Sequence, residues 1–161
     1  MFTRASLLRG FSFGLTSGVI TTLGMMVGLH SGTHLKSAVL GGILAIAVAD
    51  AFSDALGTHV SEEAENQHST KHIWGATICT WIAKFVVALT FVVPVLLLSL
   101  NTAIIVGVAW GLLLIAGFSF YMAKQQGEAP HKAVLEHFAI AGVVVVLTHY
   151  IGDWIGTWQG G

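Results

Sequence analysis

Five runs of roughly 20 apolar residues, at about 10–29, 37–58, 74–98, 102–123 and 134–156, take up most of a 161-residue chain. A run of that length, wound as a helix, matches the ~30 Å hydrocarbon layer of a bilayer. Only a helix or a closed barrel satisfies its own backbone hydrogen bonds in lipid, and these runs lack the strict alternation of barrel strands. The expected fold is therefore an all-α integral membrane protein with five transmembrane helices, forming a single five-helix membrane domain over residues 1–161. Composition agrees: 9% of residues are charged, against about 25% in soluble proteins. The first run, beginning near Phe11, is full length and is expected to be a retained span rather than a signal peptide. Connections are short, the longest being about 60–73, and no repeat or linker divides the chain.

The cations set an orientation. Arg4, Arg9, Lys71, Lys124 and Lys132 fall on one side of a five-span chain and Lys36 on the other. The positive-inside rule then predicts a cytoplasmic amino terminus and an outer carboxy terminus. On this reading residues 62–65 and the turn at Gly127–Pro130 face the cytoplasm, Trp74 anchors the inner interface, and Trp154 and Trp158 anchor the outer one. A net charge of −1 argues against nucleic acid as a partner. Cys79 is the single cysteine, so an internal disulfide and a thiolate metal cage are both excluded within one chain. Gly10, Gly14 and Gly18, then Gly24, Gly28 and Gly32, make two small-residue ridges on the first helix that allow close backbone approach, within a chain or between chains. So small a bundle, with an odd number of spans, encloses a pore poorly by itself, and a two-fold homodimer is expected.

Within the second run, Asp50, Asp54, Thr58 and Ser61 recur at spacings of three or four and share one helix face. Ionisable groups in hydrocarbon are costly and are read first as functional. Two carboxylates this close require a cation between them, or a proton on one of them. Counting inward from the loop places Lys84 at the same depth as Asp50, so an internal ion pair is the structural alternative. A second group, His59, Glu62, Glu63, Glu65, His68 and His72, has the i,i+4 spacings that bring two side chains to one metal if the helix continues. Carboxylate with imidazole favours Fe²⁺, Mn²⁺, Co²⁺, Ni²⁺ or Zn²⁺ over Cu⁺; a solvated acidic face is the alternative. Met25 and Met26 are read as packing, His149 and Asp153 as an interfacial pair, Glu136 and His137 as the structural start of the fifth helix, and Pro94 as a kink in the third. The sequence carries no nucleophile with a base and oxyanion site, no nucleotide-binding glycine loop and no redox cofactor motif, so an enzyme is not expected and no resident cofactor is implied.

Two ordered motifs extend this picture. Phe13-Gly14-Leu15-Thr16-Ser17-Gly18-Val19-Ile20-Thr21-Thr22-Leu23-Gly24 resembles the first-helix pattern Phe-Gly-x-x-Asp-Gly-x-x-Thr-Thr-x-Gly of the vacuolar iron transporter family. Residues 49–61, from Ala49-Asp50-Ala51-Phe52-Ser53-Asp54 to Gly57-Thr58-His59-Val60-Ser61, resemble its second-helix Ala-Gly-Ala-x-Ser-Met-x-x-Gly-Glu-Tyr-x-Ser, and Tyr150-Ile151-Gly152-Asp153 is similar to its last helix. The resemblance implies a five-helix dimeric carrier of divalent iron or manganese, with helices one and two lining the path near the dimer axis. This chain departs from the pattern where Ser17 replaces the family's aspartate, Asp54 its methionine, Asp50 a glycine and Thr58 a glutamate. Either the carboxylate has moved from helix one to helix two or the transport site is lost. The cytoplasmic metal-binding insert between helices two and three is reduced to a stump, Glu62, Glu63 and Glu65.

The function expected from these readings is export of a divalent transition metal, Fe²⁺ or Mn²⁺, from the cytoplasm, by proton exchange. Asp50 and Asp54 would be the central ligands, Ser17 and Thr21 the facing polar wall, Glu62, Glu63 and Glu65 the cytoplasmic collecting group, Thr58 and His59 further candidate metal ligands, and Lys84 a coupling residue. The lipid bilayer, a second copy of the chain and the divalent cation are the implied partners. Short length without a targeting extension or insert leads to a prokaryotic inner membrane as the expected location. The alternative is a non-transporting scaffold or metal sensor in which Lys84 neutralises the acid pair.

Overall fold

The computed structural model describes residues 2–159, which are helical almost throughout and contain no strand. Five helical stretches are long and apolar enough to cross a membrane: Arg4–Thr33, Lys36–Ala64, Thr70–Leu97, Leu100–Gln126 and Pro130–Trp158. They run several residues past the apolar runs at their ends, because polar termini such as Arg4, Glu62 and Gln126 continue the helix beyond the segment that hydropathy marks. The first span is one helix, α1 (Arg4–Thr33). The second is α2 (Lys36–Ala45), a π-helical turn at Ile46–Asp50, and α3 (Ala51–Ala64). The third is α4 (Thr70–Thr90) and α5 (Val92–Leu97), and α6 (Leu100–Gln126) and α7 (Pro130–Gln159) complete the bundle.

Local chemistry fixes the ends. Thr3 caps α1 by accepting the Ser6 N–H, and Ser69 caps α4 by accepting the His72 N–H. The αL residue Gly127, at φ 73°, closes α6, and Pro130 opens α7, where its missing N–H leaves no partner wanting. As expected, Pro94 accompanies a break in the third span: without its N–H the Thr90 carbonyl loses its helical partner, and α4 stops at Thr90. Lys36 then serves the exposed end of α5, donating to the Leu96 and Leu98 carbonyls at 3.1 Å each.

α1 is the inner helix, and its two glycine ridges face different neighbours. A Cβ on Gly10 would collide with the Ala76 carbonyl, and one on Gly14 with the Thr80 carbonyl, so the first ridge lets α4 rest against the α1 backbone. The second ridge receives α7: a Cβ at Gly24 would stand 3.0 Å from Val144 and one at Gly32 3.0 Å from the Gly152 carbonyl. Both ridges are thus occupied within the chain. Met26 packs against Gly107 in the core with Leu23, Ile43, Phe91 and Ile115, while Met25 is exposed. The outward surface is apolar along the helices, through residues such as Phe52, Leu56, Ile105, Leu113 and Leu135, a surface compatible with lipid. Arg9 meets Glu62, and Thr3 meets His72, so the start of α1 and the α3–α4 turn lie at one end of the bundle.

Candidate functional site

The inward row of the second span lies antiparallel to α4, and polar residues on the two helices meet in register. Lys84, with 0% of its side chain exposed, places Nζ 2.5 Å from Asp50 Oδ2 and 2.5 Å from Asp54 Oδ2. Ser17 of α1 completes the group: its hydroxyl donates to Asp54 Oδ2 at 2.6 Å and accepts from Lys84 at 3.0 Å. Gly18 makes this possible, since a Cβ there would stand 3.3 Å from the Lys84 stem. One turn toward the α3–α4 end, Thr58 and Thr80 share a hydrogen bond of 3.2 Å, and His59 Nδ1 lies 3.1 Å from the Thr77 hydroxyl with its ring edge against Trp74.

The acid pair and lysine therefore form one cluster, as their equal depth allows. The two carboxylates are not equivalent. Asp54 is hydrogen-bonded by both Ser17 and Lys84, whereas Asp50 Oδ2 touches Lys84 at a poor angle and has no hydrogen bond. Asp50 is also the more open, 33% exposed against 18% for Asp54. It borders an outward-opening cleft of about 580 Å³ whose wall includes Thr21, Met25, Ala49, Val144 and Thr148. Thr21 spends its proton on the Ser17 carbonyl at 2.9 Å, so toward the cleft it offers only lone pairs. The π-helical turn ends at Asp50: the Ala51 N–H reaches back five residues to the Ile46 carbonyl, and the widened turn delivers Asp50 to the same ammonium as Asp54. Such single π turns are common at functional positions. By charge count, two carboxylates against one ammonium leave one negative charge for a proton or a cation to neutralise.

The second group is arranged differently from the expected helical column. α3 stops at Ala64, so His68 lies in the turn and His72 in the first turn of α4, and their rings meet at 4.1 Å between centroids across that turn. Glu62, Glu63 and Glu65 do not form a common open face. Glu62 is 3% exposed and bound by Arg9 at 2.5 Å, Glu65 is exposed with Arg9 at 3.4 Å, and Glu63 is exposed. Glu62 Oε2 lies 3.5 Å from His72 Nε2 and 4.0 Å from His68 Nδ1.

Elsewhere, His149 Nε2 and Asp153 form the expected exposed pair at 3.4 Å, and His149 Nδ1 also meets Ser31. α7 starts at Pro130, so Glu136 and His137 lie within the helix rather than at its start, and His137 bonds Ser119 at 2.6 Å. Sequence reasoning used Arg9 only for orientation and passed over Thr3, Thr77 and Thr80. An arginine two turns into an otherwise apolar helix, needing an acid at its own depth, was the signal for Arg9. The sequence matches no family model and no curated protein, so function has to follow from the chemistry of these two clusters.

Proposed function

We propose that the protein is a multi-pass membrane carrier that moves a divalent transition metal out of the cytoplasm in exchange for protons, with Asp50 and Asp54 as its central ligands. The observation that carries this reading is the buried Lys84 ammonium held between two carboxylates, one of which opens on a cleft. Lys84 acts as a resident cation: it offsets one of the two acid charges when no metal is bound, a proton offsets the other, and an incoming metal displaces both. Oxygen ligands from Asp50, Asp54 and Ser17 suit a hard or borderline ion, and the resemblance of the first two helices to the vacuolar iron transporter family favours iron or manganese. The location proposed is a prokaryotic inner membrane, with the Arg- and Lys-rich end in the cytoplasm.

A homodimer fits the outward side of the second span. Ala45, Ala49, Ser53 and Gly57 are exposed at four-residue spacing, and nothing stands within 4 Å of a Cβ built at Gly41 or Gly57. A second copy docking there would cover the cleft at Asp50 and bring two acid clusters near one axis. In proteoliposomes, Mn²⁺ or Fe²⁺ uptake coupled to proton movement is expected for the wild type and lost in Asp50→Ala/Asp54→Ala. Full flux in that double variant would refute the assignment.

One observation favours a second reading. Lys84 is wholly enclosed and Asp54 Oδ2 is bonded by both Ser17 and Lys84, the geometry of a structural pin in a non-transporting scaffold or sensor. On that reading wild-type liposomes show no metal-dependent flux at all.

A further inference from the structure

We infer that Glu62, His68 and His72 form a three-ligand site for a borderline divalent transition metal of the Zn²⁺, Co²⁺ and Fe²⁺ class, at the end of the bundle where α3 turns into α4. The site is separate from the Asp50–Asp54–Lys84 cluster and does not depend on the carrier reading. Ligand atoms from these three residues all lie within 4.8 Å of one another. In a tetrahedral site with bonds of about 2.0–2.2 Å, ligand atoms stand about 3.4 Å apart. The observed 3.5 Å from His72 Nε2 to Glu62 Oε2 and 4.0 Å from His68 Nδ1 to Glu62 Oε2 need only small closure.

Hydrogen bonding points the same way. Glu62 Oε2, His68 Nδ1 and His72 Nε2 are all buried atoms without a hydrogen-bond partner, and they converge on one point. Unpartnered buried polar atoms are uncommon, and each calls for an explanation. For His72 the neighbours supply a partner for the other ring nitrogen. The Thr3 hydroxyl donates to Ser6 Oγ at 3.1 Å, and Ser6 Oγ donates to the Thr3 carbonyl at 2.8 Å. With its single proton committed, Thr3 Oγ1 can only accept at its 3.1 Å contact with His72 Nδ1. When Nδ1 donates to Thr3, His72 presents its Nε2 lone pair to Glu62 Oε2; a proton on Nε2 would instead pair the ring with that carboxylate directly. In the Nδ1–H tautomer the Nε2 lone pair and the carboxylate oxygen repel, and a metal cation between them relieves that repulsion. A ligand histidine whose other nitrogen donates to an oxygen is the usual arrangement around bound metals.

The remaining groups complete the site. Arg9 holds Glu62 through Oε1 and leaves Oε2 free, so the carboxylate can bind metal through one oxygen while staying anchored. Arg9, Glu62 and Glu65 together carry one net negative charge, and neutral histidines add none, which favours a divalent ion. His68 and His72 are 20% and 12% exposed, so the site lies just beneath the surface of the bundle end. Two imidazoles and one carboxylate select against Mg²⁺ and Ca²⁺, which prefer oxygen alone.

The test is Co²⁺ titration of the metal-stripped, purified full chain, followed by visible d–d absorption, with helical circular dichroism to verify folding. One Co²⁺ per chain is expected to bind with an intense four-coordinate band, to be displaced by Zn²⁺ and to resist millimolar Mg²⁺. His68→Ala and His72→Ala should each weaken it at least tenfold, and Glu62→Gln, which preserves size, should do likewise. In Asp50→Asn/Asp54→Asn this histidine-dependent step should remain; loss of any second, weaker step there would report on the central acids alone. A folded wild type without the band, or a band unchanged by His68→Ala/His72→Ala, would overturn the site. So would its loss in Asp50→Asn/Asp54→Asn.

Discussion

The middle and the end of the bundle both set one cation against two carboxylates, Lys84 against Asp50 and Asp54, and Arg9 against Glu62 and Glu65. Their surroundings separate them. Lys84 is fully enclosed and its ammonium meets one oxygen of each acid, whereas the Arg9 side chain is 48% exposed and ties down a single oxygen of Glu62. A compact ammonium can sit between two acids as an inner ion does. A guanidinium approaching from the side orients a carboxylate and leaves its second oxygen available. Equal charge counts can therefore yield one cluster closed by its own lysine and another whose arginine stands at its edge.

Removing the central cation should have the largest effect. Lys84→Met leaves two half-buried acids facing each other without their cation, and breaking a fully buried pair from one side, the upper bound here, costs about 3–5 kcal/mol. Thermal unfolding in detergent should show a large loss that added Mn²⁺ partly restores; a variant as stable as wild type without metal would break the contrast. Arg9→Gln should cost less, about 1–3 kcal/mol for a buried carboxylate losing its partner, because His68, His72 and water remain beside Glu62. An equal loss in both variants would show that enclosure does not distinguish the two clusters. Ser17→Ala should cost about 1 kcal/mol, since Asp54 keeps Lys84. The same measurement on Thr3→Val, which removes one contact of a half-buried histidine at the bundle end, should show a smaller shift. The reverse order would place the more constrained network at the end of the bundle.

Much of this was legible in the sequence. Apolar length alone marks the five helices, because lipid-length runs have few other uses. The i,i+4 spacing of Asp50 and Asp54 and the matching depth of Lys84 anticipate the central cluster, since in a hydrophobic bundle a lone lysine has few acids to choose from. Helix ends were less legible, because α1 begins at Arg4 and α3 ends at Ala64 through capping and turn geometry that hydropathy does not register. The His68–His72 pair was read as one helical face and is instead joined across a turn, where Asn66 adopts φ 50°. The Thr3–Ser6–His72 chain spans the two ends of a long sequence separation and has no local pattern. The π-helical turn before Asp50 leaves no composition signature either, since Ile46-Ala47-Val48-Ala49 reads as ordinary helix.

The double glycine ridge has a mechanical consequence. With α4 interlocked against one stretch of α1 and α7 against the other, any sliding of α1 would drive carbonyls into its neighbours, and the three helices form a rigid stator. The second span packs on this frame through Val39, Ile43 and the Lys84 cluster and leaves its outward small-residue stripe unfilled. For the proposed carrier, a stroke that opens Asp50 and Asp54 to alternate sides would fall to the second span, whose outward face is the one left without a neighbour.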